Sequence, residues 1–399
     1  MAPLKFILPS LAWNDRFRVH DPDNVMTPAL LVYPDAVESN VNAILKTLDG
    51  DASRWRSHVK SAKLAYTMRR SVARGITNFK CATTLELLVA CESGAKDVLV
   101  AYPVVGPNAR RVSEIADQFS SVRVSILVEN EAQARQWIGS RLGIFLDVNP
   151  GMNRTGVEQD HREEIVALVH AIRKAGLPFR GLHYYDGHLG GLDEPERTAS
   201  AHSGYEKLLA IVAALQLGGI AIEEVITAGT PTFPSSLTFA GFRGKQFVHR
   251  ISPGTVVYND ATSLAQLPAS LGLEPAVFVM TRVVSHPRPG IITCDAGHKS
   301  VSADAGIPTC VVAGHPELTP LGPSEEHLPM SVAEGSAPPP VGEILYLLPR
   351  HVCPTVNNFD SALLVGNNAI DSVEKVSARG RETPLLAKSF QTAAASGES

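Results

Sequence analysis

The sequence predicts an α/β protein in which a (β/α)8 TIM-like barrel is followed by a C-terminal β domain. Three observations carry this. Between about residues 54 and 255, short apolar, β-branched runs alternate with stretches of helical periodicity. After residue 256 the alternation gives way to short strand-like runs parted by Pro and Gly turns. Unusual polar residues gather just beyond the apolar runs of the first part, where a parallel barrel carries its chemistry.

In chain order, Ala29–Tyr33 reads as a strand and Asp35–Leu48 as an amphipathic helix, both before the barrel. Val37, Val41, Ile44, Leu45 and Leu48 fall on one helix face, and Asp35 with Glu38 matches a capping box. The barrel strands are Trp55–Val59, Asn78–Ala82, Val98–Ala101, Val122–Val128, Ile144–Val148, Phe179–Tyr184, Glu224–Thr227 and Phe247–Ile251. Helical stretches between them include Thr84–Ser93, Asn108–Gln118, Asn130–Ile138, Arg162–Ala175 and Ser200–Gln216, with Thr84 and Asn130 as N-caps and Gly94 and Gly176 as stops. Parallel neighbours need helical crossovers, so eight such repeats favour a closed barrel. An open doubly wound sheet is the alternative, weakened because no G-x-G-x-x-G follows any of these strands.

In the second part, Val277–Val284, Gly290–Cys294, Thr309–Val312, Ile344–Leu348 and Ser361–Val365 read as strands, with the proline-rich Glu334–Val341 as a loop. The expected domains are a barrel over 27–255 and a β domain over 256–381, with 1–26 packing against it and 382–399 a frayed tail.

Composition narrows the function. The 399 residues are 44% hydrophobic and 19% charged, which suits a packed core and not a disordered chain. A net charge of −4 without a long basic run argues against a nucleic-acid or anionic-membrane surface. Val277–Met280 and Ile344–Leu348, among the longest apolar runs, fall far short of the roughly 20 residues that span a bilayer. Phe6–Leu8 is interrupted by Pro9, so no secretory leader is expected. Five widely spaced cysteines (Cys81, Cys91, Cys294, Cys310, Cys353) suit reduced thiols in a cytoplasmic protein.

The polar clusters define candidate sites. Lys60 and Lys63 follow the first strand, and a lysine facing a barrel mouth is useful as a Schiff-base amine. Gly229 and Thr230 after strand seven, and Gly254, Thr255 and nearby Tyr258 after strand eight, are the small and hydroxyl residues that a phosphate site requires. In the β domain His351 and Cys353 stand at i and i+2, which on an extended segment project to one side and could share a metal such as zinc. Two protein ligands would leave positions open for water and substrate. Ser324–His327 is a further polar cluster, read as a solvated loop.

Taken together, the ordered motifs H-V-K at 58–60, G-M-N-R-T-G at 151–156, Y-D-G-H at 185–188, A-G-T-P-T at 228–232, P-G-T at 253–255, D-A-G-H-K at 295–299, S-E-E-H at 324–327 and H-V-C-P-T at 351–355 form a recognisable set. The chain resembles the pyridoxal-phosphate enzymes of the alanine-racemase barrel type (fold type III), and within them the D-threonine aldolase and D-serine dehydratase family. The resemblance runs from Thr27 to Gly380. It implies that Lys60 carries pyridoxal 5'-phosphate, that Arg154 binds its phenolic oxygen and that Tyr185 lies near its ring nitrogen. It further implies that Gly229, Thr230, Gly254, Thr255 and Tyr258 hold the phosphate. His351 and Cys353 match the family's metal pair, for zinc or manganese, and His188 matches the base near the substrate's 3-hydroxyl. Family members are dimers, which implies a homodimer. The expected activity is a metal-dependent lyase on D-3-hydroxy amino acids, cleaving them to glycine and an aldehyde. The alternative is elimination to a 2-oxo acid and ammonia, since aldolases of the family have Asp where Cys353 stands and dehydratases have Cys. A racemase or a non-catalytic cofactor-binding protein is disfavoured by the His351/Cys353 pair and by the large β domain.

Overall fold

The computed structural model describes residues 9–384. The reading of Phe6–Leu8 and all of the expected tail beyond residue 384 lie outside the described residues. The described residues divide into two compact units, one of residues 53–60, 72–252 and 380–384, the other of residues 9–52, 61–71 and 253–379.

The first unit is a parallel barrel. Its strands, Ser57–His58, Asn78–Cys81, Asp97–Val100, Arg123–Val128, Gly143–Asn149, Phe179–Tyr184, Glu224–Thr227 and Val248–Ile251, pair in sequence order. A parallel bridge between Trp55 and Ile251, with Arg56 N–H donating to Ile251 O at 2.9 Å, joins the first strand to the last. All eight expected strands are present, and each is followed by a turn or helix that carries the chain back. The run Glu194–Leu217 begins before the expected Ser200, because Pro195 is well placed in a first helical turn. Asn130 caps Glu131–Arg135 as expected, accepting from Gln133 N–H at 2.9 Å. The cap of Thr84–Glu92 is Thr83 rather than Thr84; Thr83 Oγ1 accepts from Glu86 N–H, and Glu86 returns a bond to Ala82 N–H.

Alternation along the strands stacks the barrel interior in tiers. Near the N-terminal ends lies a charged tier of Arg56, Asp97, Arg180 and Glu224, all buried. One alternation on comes an apolar tier of Leu99, Leu127, Phe145 and Ile226. Above it, Lys80, Asp147, His183 and Ser252 form a polar tier beneath the C-terminal ends.

The second unit is built on a mixed sheet with strand order Leu318–Pro320, Leu328–Val332, Ile291–Cys294, Val277–Arg288, Ala29–Val32, Ser361–Gly366 and Ala369–Lys375. Ile344–Pro349 pairs with both Val277–Arg288 and Cys310–Val312. The long strand Val277–Arg288 changes partner along its length, and register shifts after Val283 mark the bend. Phe17, Tyr33 and Phe278 pack as an aromatic cluster, with centroids 4.9 to 5.8 Å apart. Helix Pro34–Thr47 follows the first strand, but the expected Asp35–Glu38 capping box is absent: Tyr33 is the N-cap without a side-chain bond, and Pro34 opens the helix. Three short strands, 318–320, 328–332 and 369–375, were not expected from the sequence.

Candidate active site

In the barrel unit two of the sequence-predicted residues, Arg154 and Gly229, meet at Tyr185, which follows the sixth strand. The Arg154 guanidinium carbon lies 4.9 Å from the Tyr185 ring centroid. Gly229 presses on the same ring: a Cβ at that position would sit 2.6 Å from Tyr185 Cε2, so only glycine fits the turn as it stands. Ala228, just before it, holds a left-handed φ of 59°. Thr230 follows and is buried. Lys60 follows the first strand and is half-buried, its backbone N–H donating to His58 Nδ1 at 3.4 Å. His188 stands exposed on the short turn Gly187–Gly191. A Cβ on Gly151 would lie 3.8 Å from its Nε2, which places it beside the Arg154 loop.

That loop is fastened by its own sequence. Asn149 Oδ1 accepts from the N–H groups of Gly151 and Asn153 at 3.0 Å. Thr155 Oγ1 donates to Asp147 Oδ2 at 2.7 Å, and Gly156 N–H donates to Glu129 at 2.5 Å. Gly156 has φ 98°, and a Cβ there would meet Asn149 N at 2.9 Å. Val157–Glu158 then pairs with the fifth strand and returns the chain to the sheet. Arg154 is thus presented by a stapled loop.

Two groups were not singled out from the sequence. Lys80 is buried, with Nζ 2.9 Å from both His183 Nε2 and Ser252 Oγ, and His183 Nδ1 is 2.7 Å from Asp147 Oδ1. Burial, then the neighbouring Lys60 charge, pull the Lys80 ammonium down to about 7, against the pull of Asp147. Burial and Lys80 also lower His183, so its imidazole is neutral, donates from Nδ1 and accepts at Nε2. Asp186, fully buried, accepts from Thr232 Oγ1 at 2.5 Å and Tyr205 OH at 2.6 Å, joining the His188 turn to the turn after strand seven. Burial raises its carboxyl despite those hydroxyls. The signal for Lys80 was available: it is a charge in an otherwise apolar strand, at an inward-facing position.

In the mixed-sheet unit, His351 and Cys353 are brought together, although not as an extended pair. His351 is the N-cap of the short helix Val352–Asn357, which contains Cys353. The His351 ring donates to the Cys353 sulfur. Its Sγ lies 2.9 Å from Ser61 Oγ and 3.6 Å from Thr255 Oγ1, so a residue expected at the phosphate borders one expected at the metal. His351 Nδ1 is 2.7 Å from Asp304 Oδ2, and Val352 N–H donates to Asp260 at 2.9 Å. Burial lowers the His351 imidazole, but Cys353, Asp304 and Asp260 more than offset this and hold it at about 9. Gly254 is buried beside Thr255. Tyr258 is fully buried; its hydroxyl donates to Ala62 O and lies 3.0 Å from Thr67 Oγ1. Lys63 is committed elsewhere, with Nζ donating to Ala378 O at 3.2 Å and a left-handed φ of 50°.

These donors fit a phosphate-bearing aromatic cofactor. The barrel unit offers an amine at Lys60, a guanidinium and a phenol face at Arg154 and Tyr185, and a turn at Gly229 where a side chain would collide with that phenol. For a metal, no group of three or more His, Cys, Asp and Glu side chains is disposed to hold an ion among the described residues. The His351/Cys353 pair fits a two-ligand site for a soft divalent ion, with Asp304 orienting the imidazole from behind. No helix among the described residues is long and apolar enough to cross a membrane.

Comparison with known proteins bears on the family. Residues 32–261 match the family model "Alanine racemase, N-terminal domain", and residues 276–365 match the model "Putative serine dehydratase domain". The chain is 28% identical over 366 residues to D-threonine aldolase of Arthrobacter sp, covering 89% of this chain and 93% of that protein. It is 29% identical over 376 residues to 3-hydroxy-D-aspartate aldolase of Paracoccus denitrificans, covering 90% and 94%. The crystal structure of D-threonine aldolase from Filomicrobium marinum superposes with a TM-score of 0.81 at 30% identity, covering 89% of this chain and 96% of that one. D-threo-3-hydroxyaspartate dehydratase from Delftia sp. HT23 shares the fold, with a TM-score of 0.77 at 20% identity over 90% of this chain and 99% of that one. With its barrel, its motifs and these matches, the chain belongs to the alanine-racemase-type family of pyridoxal-phosphate barrels, in the branch of the D-threonine aldolases and D-serine dehydratases.

Proposed function

We propose that this protein is a pyridoxal-phosphate- and metal-dependent lyase that cleaves D-3-hydroxy amino acids to glycine and an aldehyde. The observation that supports this most is the grouping of Arg154 and Gly229 around Tyr185 in the unit that carries Lys60. Full-length similarity to two aldolases supports it further.

Lys60 is the amine that carries the cofactor, Arg154 takes its phenolic oxygen and Tyr185 lies near its ring nitrogen. Gly229, Thr230, Gly254 and Thr255 hold the phosphate; Tyr258 contributes once its proton turns from Ala62 O. When bound, pyridoxal phosphate supplies an electron sink for the α-carbon. His188 takes the proton from the substrate's 3-hydroxyl. That carbon becomes the aldehyde carbonyl as the Cα–Cβ bond breaks, and a proton delivered to Cα completes glycine. His351 and Cys353 would hold a zinc or manganese ion, and the chemistry such an ion would supply is that of a Lewis acid toward an oxygen. A homodimer and a cytoplasmic setting complete the proposal, the latter supported by five buried cysteines that form no disulfide.

One observation favours a second reading. A thiol at position 353 resembles the dehydratases, in which Lys60 would take the α-proton and the 3-hydroxyl would leave, giving a 2-oxo acid and ammonia. Product analysis separates the two. Purified protein with cofactor and zinc or manganese is given D-threonine and D-serine in parallel, with and without a chelator. Equimolar glycine and acetaldehyde from D-threonine, lost on chelation, is the expected result. A 2-oxo acid with ammonia would replace the aldolase by the dehydratase, and turnover untouched by chelator would remove the metal's role.

A further inference from the structure

We propose that Lys80 is a second working amine of the barrel, a positioning residue beneath Tyr185 whose gain and loss of a proton resets the charge facing that ring. This rests on the reading of Lys60 and Tyr185 as cofactor residues.

The geometry is directional. Neutral His183 donates from Nδ1 to Asp147 and can only accept at Nε2, so Lys80 donates to it. Ser252 Oγ donates to Ala228 O at 2.7 Å, which makes it the acceptor of a second Lys80 N–H. Two N–H groups satisfy both partners. The third position on Nζ, a proton in the ammonium and a lone pair in the amine, has no hydrogen-bond partner among the described residues. The Tyr185 ring centroid lies 5.8 Å from Nζ. Among the described residues no carboxylate hydrogen-bonds the amine; Asp147 stands one imidazole away.

The network has two arms, and both reach residues of the proposed site. Through His183, Asp147 and Thr155 it reaches the segment that carries Arg154. Through Ser252 it reaches Ala228, next to Gly229. A proton on Lys80 converts the first bond of each arm into a charge-assisted one. It also adds a second cation beside a ring that already faces Arg154.

The charged and titratable groups facing Lys80 are Arg56 and Lys60 on either side of the first strand, Asp147 from the fifth, Arg154 from its loop, His183 from the sixth and Tyr185 just after it. Full burial, then the charges of Lys60, Arg56 and Arg154 against the one carboxylate, pull its titration down to about 7 while Lys60 is a free ammonium.

The test is the visible absorption of the cofactor-loaded protein, freed of unbound cofactor, from pH 5.5 to 9. Wild type is expected to show a band that changes position or intensity within this pH range. Lys80→Met removes this transition while keeping the band. Asp147→Asn, which takes away the one facing carboxylate, moves it down by about 1 pH unit. Ser252→Ala, which keeps the lysine but removes an acceptor of the ammonium, moves it the same way and serves if Lys80→Met does not fold. A neutral role for Lys80 in packing would leave the pH response unchanged in every folded variant, and that result overturns the proposal while the cofactor reading stands. A wild-type protein with no visible band overturns the cofactor reading, and this inference with it.

Discussion

His249 sits on the last barrel strand with Nε2 2.8 Å from Thr227 Oγ1 and 3.1 Å from Ser236 Oγ. Burial, with a smaller push from Arg54, drives its imidazole down to about 3. An unfolded histidine titrates near 6.5, so below that pH the unfolded chain takes up a proton that the fold refuses. Stability therefore falls as the pH drops from about 6.5 toward 3, by about 1.4 kcal/mol for each pH unit. Replacing His249 with Gln keeps a hydrogen-bonding side chain and removes the titration. Denaturant unfolding at pH 7 and pH 5 is expected to show wild type losing about 2 kcal/mol more than His249→Gln; equal losses would show that His249 is not held neutral. At this scale the sequence was informative about chemistry and less so about partners. Tyr185, Arg154 and Gly229 could be named from motifs, whereas the Lys80–His183–Asp147 chain joins strands two, six and five and is visible only once the barrel is closed.

Strands and helices followed local rules where those rules were strong. Each barrel strand is a short apolar run with a punctuated end, and all eight appear within a few residues of their expected limits. The helix Val352–Asn357 escaped notice because His351–Val356 is rich in β-branched residues and includes Pro354, which is tolerated only because it falls in the first turn. What fastens the barrel strands to one another near their N-terminal ends is charge. Arg56 donates to Glu224 through Nε and Nη2 at 2.7 Å and to Asp97 at 2.9 Å, while Arg180 donates to Asp97 at 2.6 Å and Arg250 also pairs with Glu224. These groups come from the first, third, sixth, seventh and eighth strands. Removing one charge would leave buried partners uncompensated, which costs about 3–5 kcal/mol. Glu224→Gln is expected to lower stability by that amount in denaturant unfolding at pH 7. A loss under about 1 kcal/mol would mean that water reaches the network and screens it.

For the whole molecule, the two units differ in how far the sequence could be read, and contact range explains the difference. The barrel pairs each strand with its sequence neighbour, so a correct list of strands nearly fixes its topology. In the mixed sheet Ala29 pairs with Met280 and Leu31 with Leu363, and no local pattern announces such partners. Ala369–Lys375 was missed because it pairs along one edge only and shows alternately exposed residues rather than an apolar run. The site was legible to the same degree: residues after barrel strands could be assigned in order, while the short helix that presents Cys353 could not.

Every reading of function here depends on which amine holds the cofactor, and that can be measured directly. Borohydride reduction of the cofactor-loaded protein fixes the cofactor to its lysine, and peptide mapping by mass spectrometry then finds the modified residue. A single modification on Lys60 is expected, with Lys63 unmodified because its amine is bonded to Ala378 O. Modification of Lys63 or Lys80 in its place, or of no lysine at all, would contradict it.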